Sequence, residues 1–206
     1  MLEAAYATFA ESGYSAATMQ TIAARAGVAT QTVYFSFNTK PQLFRAVISY
    51  ASAGTAQGTP VRDRSWYREA LSSTDAGRIL ELLVAGGSEI IGRLGPINWA
   101  IEEAAAAEPS VAVFQRDLAR SRREGMRSLM ERIETLGSLR PELGVDRATD
   151  IVFVLDSPDT LRRFAACGWS LDEWGTWTVS TLTTLILRRS TRRSRVSRKR
   201  KGDIVS

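Results

Sequence analysis

With 206 residues, 44% of them hydrophobic and 24% charged, the chain is long enough to bury a core and ordinary enough in composition to be globular. The absence of histidine removes the commonest general base, the Ser-His-Asp and Cys-His devices and most zinc and iron sites, and the single cysteine, Cys167, excludes an intramolecular disulfide. The net charge of +5 belongs to one end: nine basic side chains fall between Arg188 and Lys201 with no acid among them, and without these and Asp203 the chain carries 18 basic and 21 acidic groups.

The three lysines, Lys40, Lys199 and Lys201, lie outside apolar stretches that would prepare one for Schiff-base chemistry. No catalytic residue, metal site or cofactor is therefore expected. No run approaches the roughly 18 uncharged apolar residues of a membrane span, and no basic segment leads into an apolar one at the N-terminus. A cytoplasmic protein with no membrane association is expected.

Apolar residues recur at helical spacing along most of the chain. Leu2, Ala5, Tyr6 and Phe9 mark a first helix, and Met19, Ile22, Ala23 and Ala26 a second. Leu43, Phe44, Val47 and Ile48 mark another, before a break rich in Gly, Thr and Pro from Ala53 to Pro60. A short helix is expected near Ser65 to Leu71, and a longer one from Asp75 to Leu94. In the longer one Gly86 and Gly87 allow either a kink or a close helix contact. Pro96 and Pro109 open further helices, the second reaching about Leu136 before Gly137 and Pro141 end it. Asp146 to Leu155, Pro158 to Ala166 and Leu171 to Leu187 complete an all-α pattern with no convincing strand.

Residues 18 to 37 read TMQTIAARAGVATQTVYFSF. Thr18 suits a helix N-cap, Gly27 supplies a left-handed stop, and a second short helix follows at 29 to 36 with Val33 and Phe37 turned inward. This spacing serves either an ordinary αα-corner or a helix-turn-helix that lays its second helix in the major groove. The polar outer face of that helix, with Thr30, Gln31, Thr32, Tyr34 and Ser36, has groups that can bond phosphates or base edges. Lys40 follows Thr39, a second N-cap candidate, at a helix start whose dipole attracts anions.

The stretch from Leu2 to Ile48 resembles the DNA-binding domain of the TetR family of transcriptional regulators. Ala5, Phe9, Gly13, Tyr14, Thr18, Ile22, Ala23, Ala26, Gly27, Val28, Tyr34, Phe37, Lys40 and Leu43 carry the likeness. The resemblance implies that Thr30, Gln31, Thr32 and Phe35 face bases, with Ser36 on the same helix, and that Thr18, Tyr34 and Lys40 hold phosphates. It implies a double-stranded DNA operator as partner, a homodimer and a small-molecule effector. Two departures stand out. Met1 is expected inside the first helix, so the chain is either cut short or starts late relative to the basic arm usual there, and Ala29 replaces a capping Ser, so Thr30 could cap instead. Residues 1 to 50 carry Arg25, Lys40 and Arg45 against Glu3 and Glu11, which suggests modest nonspecific attraction to DNA.

The expected organisation is a three-helix DNA-binding domain at 1–50, a helical ligand-binding and dimerisation domain at 51–187 and a basic, disordered tail at 188–206. The closing helices resemble the pair through which many TetR-like regulators dimerise. Leu161, Leu171, Trp174, Thr178, Leu182 and Leu185 are the candidates for that interface. Trp99, Phe114, Met126, Met130 and Phe153, with Glu102 or Glu103 as polar anchor, are the candidates for an effector pocket, although such a stripe also describes plain core. The leading expectation is a ligand-released repressor reading a near-palindromic operator. The alternatives are a helical small-molecule-binding protein or enzyme with an unused helix-turn-helix, and a constitutive nucleic-acid-binding protein. The tail reads either as a solvated extension or as a DNA tether.

Overall fold

A computed structural model describes residues 1–54 and 58–188. The first three helices are α1 (Leu2–Ala16), α2 (Met19–Ala26) and α3 (Thr30–Phe37). Their core is built on Phe9, Ile22, Val33, Leu43 and Phe44, all fully buried, with the Phe9 and Phe44 rings edge to face at 4.6 Å. Aromatic pairs favour this geometry, because the positive ring edge meets the negative face. Thr18 caps α2: its hydroxyl accepts the Thr21 N–H at 3.0 Å, and the Thr21 hydroxyl accepts the Thr18 N–H in return. Gly27, at φ 67°, stops α2 and returns its N–H to the carbonyls of Ala23 and Ala24. Thr30 is the first residue of α3 and not its cap. Ala29 holds the cap position without a side-chain bond.

The fourth helix, α4 (Lys40–Ala53), carries the chain past residue 50. It is followed, after a 3-10 turn at Val61–Asp63, by α5 (Ser65–Ser72) and α6 (Ala76–Leu94). A second 3-10 turn at Gly95–Ile97 leads into α7 (Asn98–Ala107). The core of the first four helices does not stop at α4. Ile97, Ala100, Ile101 and Ala104 from this turn and α7, with Val111, belong to the same buried cluster. Two arginines close the C-terminal end of α4. The Arg93 side chain donates to the carbonyls of Ala51 (2.8 Å) and Ser52 (3.2 Å), and Arg64 donates to Ser52 at 2.8 Å. Cations there satisfy carbonyls that the helix leaves open and oppose its negative pole.

The remaining helices are α8 (Pro109–Thr135), α9 (Gly144–Leu155), α10 (Pro158–Ala166) and α11 (Leu171–Ile186). Helices α8, α9 and α11 join α5 and α6 in a second core on Ile79, Leu80, Leu129, Met130, Ile133 and Leu182, to which α10 contributes no buried residue. Helix α6 stays regular through Gly86 and Gly87. The two glycines serve close contact. A Cβ on Gly86 would lie 2.3 Å from the Trp66 ring, and one on Gly87 would lie 2.5 Å from the Asp156 carboxylate. A single antiparallel bridge joins Leu139 to Leu187. Arg188, where the basic tail begins, donates its N–H to the Ser138 carbonyl, and residues 189–206 lie outside the described residues. No described helix is long and apolar enough to cross a membrane, and no described group of His, Cys, Asp or Glu could hold a metal.

The structure corrects half of the expected dimer set. Trp174, Thr178 and Leu182 are fully buried inside the protomer, so no second chain can reach them. Leu161 and Leu171 are half-buried and Leu185 is exposed. The pocket candidates do not converge either. Met126 and Met130 are solid core of the second cluster, while Phe114 packs on the first cluster with the Arg45 guanidinium 4.9 Å above its ring. Phe153 lies under Arg122, at 4.3 Å. Trp99 covers Gly13 of α1, and Glu102 is exposed, accepting from the Asn98 amide at 3.0 Å. A Met and aromatic stripe at helical spacing here is core and inter-helix contact.

Candidate nucleic-acid interface

Helix α3 is anchored on one side only. Val33 is fully buried and Phe37 half-buried, while Gln31, Thr32, Tyr34, Phe35 and Ser36 are exposed and Thr30 is partly so. Phe35 stands 91% exposed, the most exposed large hydrophobic side chain among the described residues. The Ser36 hydroxyl donates to the Thr32 carbonyl at 3.0 Å, leaving its lone pairs free to accept. The result is a rigid short helix that presents one uncharged face.

Beside it, the fold brings Thr18 and Lys40 together. The Lys40 ammonium donates to the carbonyls of Ala17 (2.9 Å) and Ser15 (3.3 Å) and sits 4.3 Å over the Tyr14 ring. Burial pulls its pKa below the ordinary lysine value. Three donors serve two carbonyls, so one N–H of the ammonium remains for another acceptor. Because Thr18 takes up the Thr21 amide, the amides of Met19 and Gln20 stay open at the start of α2, next to that ammonium. The start of α4 offers less than its sequence suggests. Pro41 has no N–H and the Gln42 N–H goes to Thr39, which leaves the Lys40 amide alone.

A second group of contacts, formed between residues far apart in the chain, ties this surface to the rest of the protein. Helix α1 breaks at Gly13 (φ 78°, ψ −178°), and the Trp99 ring fills the space where a Cβ would stand, 2.4 Å away. Glu103 of α7 accepts the Tyr14 N–H at 2.7 Å, and the Tyr14 hydroxyl donates to Glu108 at 3.2 Å. Bonds from Ser15 and Tyr14 hold the Glu103 carboxyl below its usual range, and desolvation with the nearby Glu108 raises the Tyr14 phenol. Thus α7 holds the same turn of α1 on which Lys40 rests. The sequence singles out Trp99 and Glu103 as pocket candidates and Gly13 and Tyr14 as marks of the resemblance, but not their contact with one another.

Among the described residues the regular structure is helical, with a capped helix-turn-helix facing outward at the N-terminal end. Residues 1–47 match the model for bacterial regulatory proteins of the tetR family. Solved structures agree in fold. SmeT in complex with triclosan superposes with a TM-score of 0.70 at 18% identity, over 92% of this chain and 90% of that one. A TetR transcription regulator from Haloarcula marismortui gives 0.68 at 18%, over 91% and 96%. The fatty acid degradation regulator FadR from Bacillus halodurans gives 0.67 at 20%, over 88% and 92%. No curated protein matches the sequence significantly.

Proposed function

We propose that this protein is a TetR-family regulator, a repressor that binds a near-palindromic operator as a homodimer and releases it when a small molecule binds the helical domain. The observation that carries the reading is the exposed face of α3 on a rigid, fully packed three-helix core. Thr30, Gln31, Thr32 and Phe35 read base edges, with Ser36 beside them. Thr18, Tyr34 and Lys40 hold phosphates, with the open amides of Met19 and Gln20 completing an anion site at the start of α2. Residues 51–187 regulate and dimerise. The likeness to SmeT, solved with triclosan, supports an apolar or aromatic effector. The effector acts by favouring a conformation unlike the DNA-bound one.

The test is binding of the full chain to duplexes from its own gene neighbourhood, followed by fluorescence anisotropy over a salt series. We expect at least one duplex to bind well above random DNA. Lys40→Ala should weaken binding to every sequence and reduce the salt slope by about two, one for each protomer of the dimer. Equal, weak binding of all duplexes by the wild type would overturn the reading and leave a helical protein with an unused helix-turn-helix.

A further inference from the structure

The recognition face carries no free charge. From Met19 to Thr39 the only side chain charged at neutral pH is Arg25, and its guanidinium is held by Glu11 through two bonds of 2.6 Å. Lys40 is drawn back onto α1, and Arg45 is stacked on Phe114. What α3 offers outward is an amide, hydroxyls and aromatic rings: Gln31, Thr32, Ser36, Tyr34 (44% exposed) and Phe35 (91% exposed).

In the major groove each base is met by a different chemistry. Guanine O6 and N7 are read chiefly by Arg or Lys, and the cytosine amino group by Asp or Glu. Adenine N6 and N7 match the paired donor and acceptor of a Gln or Asn amide, and the thymine methyl matches an apolar surface. Helix α3 lacks both readers of a G·C pair and holds both readers of an A·T pair. The ring of Phe35, left in water by the protein's own packing, gains by covering a methyl group.

We propose that the operator half-site under α3 is an A·T step pair, with an adenine read by Gln31 and a thymine methyl packed on the Phe35 ring. This rests on the DNA-binding reading above and narrows its substrate. Gln31 and Phe35 are four residues apart, hence on one face and about one helical turn, roughly 5.4 Å, from each other. Base pairs rise about 3.4 Å, so the two contacts fall one or two base pairs apart. Thr32 supplies a further hydroxyl and methyl beside them.

The experiment has two stages, both with the full chain. Selection from a random duplex library should enrich half-sites with A·T pairs at adjacent or next-adjacent positions in the segment that α3 protects. In the selected operator, deoxyuridine replaces the contacted thymine, which removes only the methyl group. With the thymine of both half-sites replaced, affinity should fall about fourfold for each, the value of one buried methyl. Phe35→Ala, a surface change that leaves the core intact, should lose a similar factor on the thymine operator and nothing further on the deoxyuridine operator. Gln31→Ala should lose roughly 5- to 150-fold and relax base choice at its own position. Enrichment of G·C pairs under α3 would overturn the inference while leaving the regulator reading intact. So would a deoxyuridine penalty that persists unchanged in Phe35→Ala. Failure to enrich any duplex would instead remove the DNA-binding reading, and this inference with it.

Discussion

Asp156, at the end of α9, is 2% exposed, lies against Gly87 and leaves its Oδ1 without a hydrogen-bond partner. Desolvation pushes its pKa up to about 7 in spite of the attraction of Arg122, whose own pKa burial lowers. An unfolded aspartate titrates near 3.9, so the folded state holds the proton more tightly. Between about pH 4 and 7 the unfolded chain is the first to release it, and stability falls as pH rises through that window. Asp156→Asn keeps the shape and removes the titration. Its melting temperature should exceed that of the wild type at about pH 8 and change less between about pH 5 and 8. Identical pH profiles for the two proteins would show that another group governs the dependence. Gly13 gives a second test at this scale. Its dihedral angles belong to a region almost confined to glycine, and Trp99 fills the place of a Cβ. Gly13→Ala should therefore cost more than Gly27→Ala, where φ is also positive but the space is open. We expect about 2–4 kcal/mol against about 1 in urea unfolding. Equal costs would mean that the α7 contact on Gly13 yields easily.

Among the helices, the ends were the most legible part of the sequence. Thr18, Gly27 and Thr39 stand where caps and stops must stand, because each acts through its nearest neighbours in the chain. The contacts that join helices were not legible. Arg93 follows no pattern that marks it, yet it meets the end of α4 from more than 40 residues away. The pairing of Gly86 with Trp66 and of Gly87 with Asp156 reduced to an open choice between kink and contact, since spacing alone does not say what approaches a glycine. The Arg93 clamp joins α6 to the helix that carries Lys40 at its other end. Arg93→Ala removes two charge-assisted bonds at a partly exposed site, which should cost about 1–2 kcal/mol after solvent screening. Hydrogen exchange should quicken first in the last turn of α4. Exchange that quickens evenly across the protein would place the loss elsewhere. Under the effector-release reading, the same variant should also narrow the difference in operator affinity with and without effector, because α4 and α6 no longer move as one.

At the scale of the whole molecule, α11 shows why a correct helix gave a half-wrong surface. Trp174, Thr178, Leu182 and Ile186 repeat every four residues and are fully buried, while Trp177, Thr181 and Leu185 repeat at the same interval three positions on. Three residues turn a helix by about 300°, so the two stripes lie only some 60° apart, and steps of three and four pass from one to the other. Both are apolar enough to be core, and only packing against α6 and α9 decides that the first faces in. The second stripe borders an aromatic group on α10 and the loop after it. Phe164 lies 4.8 Å from Trp169 and 4.6 Å from Trp177, with Trp169 36% and Leu185 42% exposed. If the protein dimerises through its last two helices, this outer stripe, with Leu161, is the surface that meets its symmetry mate, since a two-fold contact must be complementary to itself. Clustered aromatics of this kind also supply much of the energy of interfaces where they occur. Trp177→Glu with Leu185→Glu should then give a folded monomer with an unchanged far-ultraviolet spectrum and weakened operator binding, because each half-site alone is held by one α3. Trp174→Glu would bury a charge in the protomer and should unfold the chain instead. Light scattering at micromolar concentration separates the cases. A dimer that survives the Trp177 and Leu185 changes would move the interface away from α11.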